Sequence, residues 1–441
     1  MLDLLAREAV RELNEIRRPP LKEKAKAWGK GLLGRGNALG RDPAFWPAGL
    51  LLLGLLEAEQ TAAVSSYVNE WVRKGCVVQN PDDALFGAVL LELYEETGQK
   101  EYAEAARRIA SYLRDCLRDE AGSIIYGQRS GNSWIYADGA GMTALFLSRY
   151  TRVLGNGELP SRRYEVSAWG GSRQGNPRKE EEAADLQGAD DQGEVFPESA
   201  PPRPAEQARR QLSNFAAYGM DARSGLPYHG YDLESGVKLG IIGWGRAVGW
   251  LLMGLSEYVM DLALTGENRK QTSDAADAKG QEEALNLKTD EIPCGSDDAG
   301  RTRADGERSE NRKIIGMTRT ICAAVVDRIR PDGLLSWQLD CVEGPADTSA
   351  SAMIFWSLLR MNRFRKAHPE LPASVRDLVP YTDPAIFDAA AEGLRRCVSE
   401  DGKVWYCSGE CVDFAQYRQQ YGNYAWGQGS ALAFLGLYDL K

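Results

Sequence analysis

Helices that are apolar nearly all round alternate along this chain with amphipathic ones, and an acidic residue and a glycine followed by an aromatic recur at the junctions. These two periodicities predict an all-α fold, an (α/α)6 barrel in which helical hairpins close into a toroid with short β corners. The apolar kind covers Ala84 to Tyr94, Gly141 to Leu154, Ala247 to Leu264, Ala350 to Met361 and Gly429 to Leu437, and a helix apolar on every side must be buried on every side. The amphipathic kind is clearest in Tyr102, Ala105, Ala106, Ile109, Leu113 and Cys116, and in Ile314, Met317, Ile321, Val325 and Ile329, with charged residues between. These predict an outer layer with one wet face.

The corners run from Asp119-Glu120-Ala121-Gly122 to Tyr126, Gly225 to Tyr228, Asp332-Gly333 to Trp337 and Asp401-Gly402 to Trp405. A glycine turn followed by alternating residues predicts a short hairpin. A linear stack would expose its apolar helices at both ends, whereas a closed ring buries them all. Two polar stretches, about 155–211 and 265–312, lack large apolar residues and are read as disordered insertions in a single (α/α)6-barrel catalytic domain spanning residues 1–441.

Composition narrows the function. The 441 residues are 43% hydrophobic, enough for one large core, and include 11 Trp and 18 Tyr, rings suited to a wet, carbohydrate-like surface. A net charge of -10 lacks the basic footprint of a nucleic-acid partner, and an anionic sugar would need a local basic group in a pocket. No pair among the eight cysteines has CxxC spacing, and Cys407 and Cys411 alone are near neighbours. The start, Met1-Leu2-Asp3-Leu4-Leu5-Ala6-Arg7-Glu8, reads as an amphipathic helix, and the apolar run from Ala48 to Leu56 is shorter than a membrane span of roughly 20 residues. The expectation is a soluble, cytoplasmic chain with no membrane partner.

In a toroid the loops entering the inner helices gather at one mouth. Those starts read Asp82-Asp83-Ala84-Leu85-Phe86-Gly87, Trp134-Ile135-Tyr136-Ala137-Asp138-Gly139-Ala140-Gly141-Met142, Gly243-Trp244-Gly245-Arg246-Ala247-Val248-Gly249-Trp250, Asp347-Thr348-Ser349-Ala350-Ser351-Ala352-Met353 and Tyr424-Ala425-Trp426-Gly427-Gln428-Gly429. The corner before Trp244 adds Tyr228-His229-Gly230-Tyr231-Asp232. Asp82, Asp83 and Asp138 stand where an N-cap carboxylate is favoured, but two carboxylates facing one cavity also offer the acid and base of sugar hydrolysis. Arg246, flanked by Trp244 and Trp250 near the start of an apolar helix, is read as a pocket residue. His229 suits a structural or a functional role equally, and with His368 as the second of two histidines the chain has no HExxH and no histidine cluster. Trp46, Trp134, Trp244, Trp250, Trp337 and Trp426 are either core or sugar-stacking rings, and Thr348, Ser349 and Ser351 either cap their helix or hold an anionic group.

This ordered spine, strongest at the Asp138 and Arg246 motifs, resembles glycoside hydrolase family 105, the unsaturated rhamnogalacturonyl hydrolases, related to the unsaturated glucuronyl hydrolases of family 88. The resemblance spans nearly the whole chain outside the two polar stretches. It implies an (α/α)6 barrel that releases a 4,5-unsaturated uronic acid from the non-reducing end of pectin-type oligosaccharides by hydrating a vinyl ether, with no metal or other cofactor. By this likeness Asp138 protonates C4 and steers water to C5, and Asp82 is the second aspartate. His229, Trp244, Arg246 and Trp250 match pocket residues, with Arg246 and His229 as candidates for the uronate carboxylate. Tyr136, Trp46, Asp83, Thr348 and Ser349 complete the expected substrate-binding set. The chain departs from the family pattern at Tyr136, where Trp is usual, at Asp83, where many members carry His, and between Tyr126 and Asn132, where a histidine is missing. The alternatives are an unsaturated glucuronyl hydrolase acting on glycosaminoglycan disaccharides and a catalytically inactive carbohydrate-binding toroid.

Overall fold

The computed structural model describes residues 1–18, 44–128, 131–157, 202–265, 298–411 and 418–440. In chain order the inner helices are α2 (Trp46–Glu57), α4 (Asp83–Thr97), α6 (Ala137–Leu154), α8 (Gly245–Leu264), α10 (Thr348–Ala367) and α13 (Ala425–Leu440). Each packs on the next and α13 returns to pack on α2, so the inner ring is closed. Outside it lie α1 (Leu2–Arg17), α3 (Thr61–Arg73), α5 (Lys100–Arg114), α7 (Pro204–Tyr218), α9 (Asp298–Val326) and α12 (Pro384–Arg396), with the single turn α11 (Ala373–Arg376) between α10 and α12.

The structure adds a sixth inner helix, α2, at the apolar run from Ala48 to Leu56. Nearly every residue of α2 is buried, because six leucines and small residues cover its whole circumference. At two junctions of the ring a glycine lets one helix approach the backbone of the next. A Cβ on Gly54 of α2 would lie 2.4 Å from the Gly429 carbonyl oxygen of α13, and one on Gly141 of α6 would lie 2.0 Å from that of Trp250 in α8. Backbones meet there, which only glycine permits. Helix α8 is long and apolar enough by composition to cross a membrane, but it is buried in the ring.

Most of the two polar stretches, 158–201 and 266–297, lies outside the described residues. Where they end, the sequence boundaries need correction: Pro204 and Asp298 already begin outer helices. An outer helix needs apolar residues on one face alone, here Ala208, Leu212 and Phe215 in α7, so its average composition resembles that of a loop.

The four corners fold as expected. Gly122, Gly225, Gly333 and Gly402 all adopt the left-handed region (φ +71 to +85), and isolated bridges Arg118↔Ile124, Met220↔Pro227 and Val398↔Val404 close three of the hairpins. Two small sheets line the mouth. Strands β1 (Trp134–Tyr136), β2 (Gly230–Asp232) and β3 (Lys238–Leu239) form an antiparallel sheet in which Tyr136 opposes Gly230, and β4 (Cys407–Ser408) pairs with β5 (Tyr421–Gly422).

Candidate active site

Asp138 and His229 are brought together by the β1–β2 register. The Ala137 N–H donates to the His229 carbonyl (2.8 Å), so the first residue of α6 and the residue before β2 lie side by side, one step beyond the Tyr136–Gly230 pair. The Asp138 side chain, in the first turn of α6, then meets His229 Nε2 through Oδ2 at 2.8 Å. The imidazole is packed between Tyr136 (ring centroids 4.5 Å apart) and Trp244 (4.6 Å, edge-on), which fixes its plane.

Asp82 is the N-cap residue of α4, yet its side chain makes no capping hydrogen bond. Its Oδ2 instead accepts from the Tyr126 hydroxyl at 2.7 Å. Among the described residues, neither Oδ1 of Asp82 nor Oδ1 of Asp138 has a hydrogen-bond partner, although both atoms are buried. A buried carboxylate oxygen without a protein donor remains open to a donor from a bound group, and here two such atoms share one mouth. Burial pushes the Asp82 carboxyl up to about 7; the nearby Asp138 charge adds to the rise, and the Tyr126 hydrogen bond opposes it. The same burial raises the Tyr126 phenol well above its ordinary value, so it remains a hydrogen-bond donor.

This shift has a stability consequence. In the unfolded chain Asp82 ionises near 3.8, so from there to about pH 7 the folded state holds a proton that the unfolded state has released, and stability falls as pH rises through that window. An Asp82→Asn variant is expected to lose this decline, about 1.4 kcal/mol per pH unit at most. Urea midpoints of both proteins at about pH 4 and pH 8 check it; parallel pH dependence in the two would contradict the assignment.

Other expected site residues are placed differently. Asp83 is turned away: its Oδ2 accepts from the backbone N–H groups of Gln79 (2.7 Å) and Asn80 (3.2 Å), so it braces the loop before α4 and Asp82 is the second carboxyl of the site. Thr348 and Ser349 are fully buried structural residues. The Thr348 hydroxyl donates to the Trp405 carbonyl (3.0 Å) and the Ser349 hydroxyl to Asp347 (2.6 Å), because a helix start packed under β4 must satisfy its polar groups internally. Asp347 is the acid that does cap, accepting from the N–H groups of Ser349 and Ala350.

Arg246 also departs from expectation. It is 2% exposed; Nη1 donates to the Ser408 carbonyl (2.8 Å) and hydroxyl (2.5 Å), and Nη2 to the Gly409 carbonyl (2.8 Å). The planar fork of the guanidinium fits two successive carbonyls, and the cation lies 4.6 Å from the Trp244 ring and 5.5 Å from that of Trp426. Arg246 thus ties β4 to the inner ring behind the aromatic wall. Trp250 is buried edge-on to the half-buried Trp46 (5.8 Å), which in turn meets Trp426 (5.1 Å), while Tyr424 stacks on Trp426 at 4.7 Å.

Tyr126, Ser408 and Tyr424 were not singled out as site residues from sequence. Tyr126 had a signal, as the aromatic that ends the first corner. Cys407 is a buried free thiol.

Comparison with known proteins places the fold. No protein-family model and no curated sequence relative matches the chain. Among solved structures, a possible member of family GH105 from Klebsiella pneumoniae superposes with a TM-score of 0.57 at 17% identity, covering 99% of this chain and 92% of that one. A possible GH105 member from Salmonella enterica gives 0.55 at 16% identity, over 89% and 82% of the two chains. An unsaturated glucuronyl hydrolase from Bacillus sp. GL1, responsible for the degradation of glycosaminoglycan, gives 0.54 at 12% identity, over 100% and 97%. These likenesses establish the six-hairpin helical toroid.

Proposed function

We propose that this chain is a glycoside hydrolase that releases a 4,5-unsaturated uronic acid from the non-reducing end of a pectin-type, rhamnogalacturonan oligosaccharide. One observation carries the reading: a buried carboxyl, Asp82, and a part-buried one, Asp138, at the starts of adjacent inner helices, neither capping its helix, each with one oxygen held by a protein partner and the other open. The motifs around Asp138, and a fold like that of family 105 members and an unsaturated glucuronyl hydrolase, support the choice of reaction.

The substrate carries its own reactivity in the C4=C5 vinyl ether. Proton transfer from Asp138 Oδ1 to C4 leaves a cation at C5 shared with the ring oxygen, and the new carboxylate then takes a proton from the water that adds to C5. The resulting hemiketal opens to a ketone at C5. The freed hydroxyl at C1 leaves a hemiacetal there, which expels the leaving sugar. One carboxyl thus serves as acid and then base. His229 orients Asp138, and Asp82, which keeps its proton to about pH 7, sets a buried hydroxyl donor beside it. Tyr136 and Trp244 hold the imidazole, and the half-buried Trp46 offers a ring for stacking.

The test follows the ultraviolet absorbance of the unsaturated uronate with purified protein and two disaccharides, one pectin-derived and one chondroitin-derived. Loss on the pectin-derived sugar is expected. Loss on the chondroitin-derived sugar alone would move the assignment to glycosaminoglycans. Thermal stabilisation by the sugars without turnover would mark a binding toroid, and no response to either would overturn the reading.

A further inference from the structure

Tyr126 touches both halves of the candidate active site. Its hydroxyl donates to Asp82 Oδ2 (2.7 Å), and its ring meets that of Tyr136 edge-on, with centroids 5.2 Å apart. Tyr136 in turn lies 4.5 Å from the His229 ring, whose Nε2 meets Asp138 Oδ2 at 2.8 Å. One arc of side chains, Tyr126, Tyr136 and His229, therefore holds one oxygen of each carboxyl. Oδ1 of each stays without a hydrogen-bond partner among the described residues. The arc is anchored at its Tyr126 end. The left-handed Gly122 (φ +85) turns the first corner, and the Tyr126 N–H donates to the Trp134 carbonyl (3.0 Å), which lays that corner against β1. On α6 a Cβ at Gly139 would lie 2.8 Å from Tyr126 Cδ2, so the ring rests directly on the helix backbone at the residue after Asp138.

The direction of the Tyr126–Asp82 hydrogen bond decides where the Asp82 proton sits. Burial raises the Tyr126 phenol well above its ordinary value, so its hydrogen stays on the oxygen and goes to the acceptor it meets, Asp82 Oδ2. In a neutral carboxyl the oxygen that accepts such a hydrogen is the carbonyl oxygen, and the acid proton is left on the other, here Oδ1. Oδ1 is the atom open to a ligand. Without the hydroxyl the two oxygens would be alike, the proton would divide between them, and the carboxyl would be free to turn.

We propose that Tyr126 is a positioning residue: it keeps the Asp82 proton on Oδ1, from which Asp82 donates a hydrogen bond to the bound sugar while Asp138 carries out the proton transfer. The inference rests on the function proposed above and gives the two acids separate tasks. Tyr126→Phe tests it in the full chain, because the ring contacts with Tyr136 and Gly139 remain and the hydroxyl alone is lost. On the unsaturated disaccharide kcat should fall about tenfold with KM little changed, the worth of one oriented hydrogen bond. The second readout is the titration of Asp82 itself. Urea midpoints from about pH 4 to about pH 9, for the wild type, Tyr126→Phe and the Asp82→Asn counterpart of each, isolate it.

The titratable groups facing Asp82 are Tyr126 and Asp138; Tyr136 also faces Tyr126, His229 meets Asp138, and Cys411 faces Tyr136. Burial holds the Asp82 carboxyl up, and a hydroxyl donating to it favours the ionised form, so removing the hydroxyl lets Asp82 keep its proton to higher pH. The stability that Asp82 loses as pH rises through its folded value, about 7 in the wild type, should then go on falling for about one more pH unit in Tyr126→Phe. A contact that serves folding alone would lower the midpoint at every pH and leave this window unmoved. An unchanged window, or one that moves down because Asp82 gives its proton to Tyr126, would overturn the proposal, as would an unchanged kcat. If the protein turns over no unsaturated sugar, the functional reading fails by itself, and the direction in which the window moves still decides the placement of the proton.

Discussion

Replacing Asp138 by asparagine is expected to lower turnover of the unsaturated disaccharide by roughly 10²–10⁴, the usual worth of a general acid–base group. The substitution isolates the proton. An asparagine has the shape of the aspartate, and its carbonyl oxygen can still meet His229 Nε2, now 2.8 Å from Asp138 Oδ2, so the start of α6 should keep its geometry. It has no proton acidic enough to give to C4 and no carboxylate to receive one from water. The expected signature is a fall in kcat with KM little changed, together with a melting temperature at or above that of the wild type. Turnover near the wild-type rate would remove Asp138 from the mechanism. In that event Asp82, the other carboxyl with an open oxygen, becomes the acid to test in the same way.

The largest expected loss of stability lies away from the residues of the mouth. Glu257 of α8 is fully buried and accepts from Arg149 of α6 (3.2 Å) and Arg360 of α10 (3.0 Å). Arg152 lies 2.7 Å from its other oxygen, an ionic contact outside hydrogen-bond angles. Arg149 also reaches Glu92 of α4 (2.9 Å), and Arg360 lies 3.5 Å from Glu57 of α2, so one charge network links five inner helices. Burial would push the Glu257 carboxyl up, but Arg149, Arg360 and Arg152 together hold it well below the usual carboxylate range.

Glu257→Ala leaves Arg149 charged in the interior with one partner fewer, and removing one member of a buried pair costs about 3–5 kcal/mol. The urea midpoint should fall accordingly. Arg149→Met combined with Glu257→Leu should recover part of the loss, because the fully buried Arg149 cation is removed with its partner, while the more exposed Glu92, Arg152 and Arg360 each keep one partner fewer. A single variant as stable as the wild type would show that the network is not what holds these helices in register.

The sequence and the structure divide the description at a definite physical boundary. Alternation of wholly apolar with amphipathic helices, and glycines at the four corners, are local patterns, and the toroid follows from them because a closed ring alone buries every apolar helix. Helix α2 is less legible, because its leucine run has neither an amphipathic period nor an acidic residue at its start, and the polar first turns of α7 and α9 have a loop's composition because an outer helix is apolar on one face only.

At the mouth, the residue types are legible in the helix starts, and the fold places Asp138 against His229, His229 against Trp244 and Asp82 near Asp138. The orientation of their side chains is not legible there. Asp82 and Asp83 are neighbours in a helix, so their side chains point about 100° apart, and only the packing of α4 against the corner holding Tyr126 decides that Asp82 faces the site while Asp83 serves the loop at Gln79. Arg246 likewise reads as a charge awaiting an anion until β4, some 160 residues later, brings two carbonyls to its guanidinium. Periodicity records which face of an element is buried. Which group a buried polar atom meets depends on residues distant in the chain, and tertiary structure alone settles that.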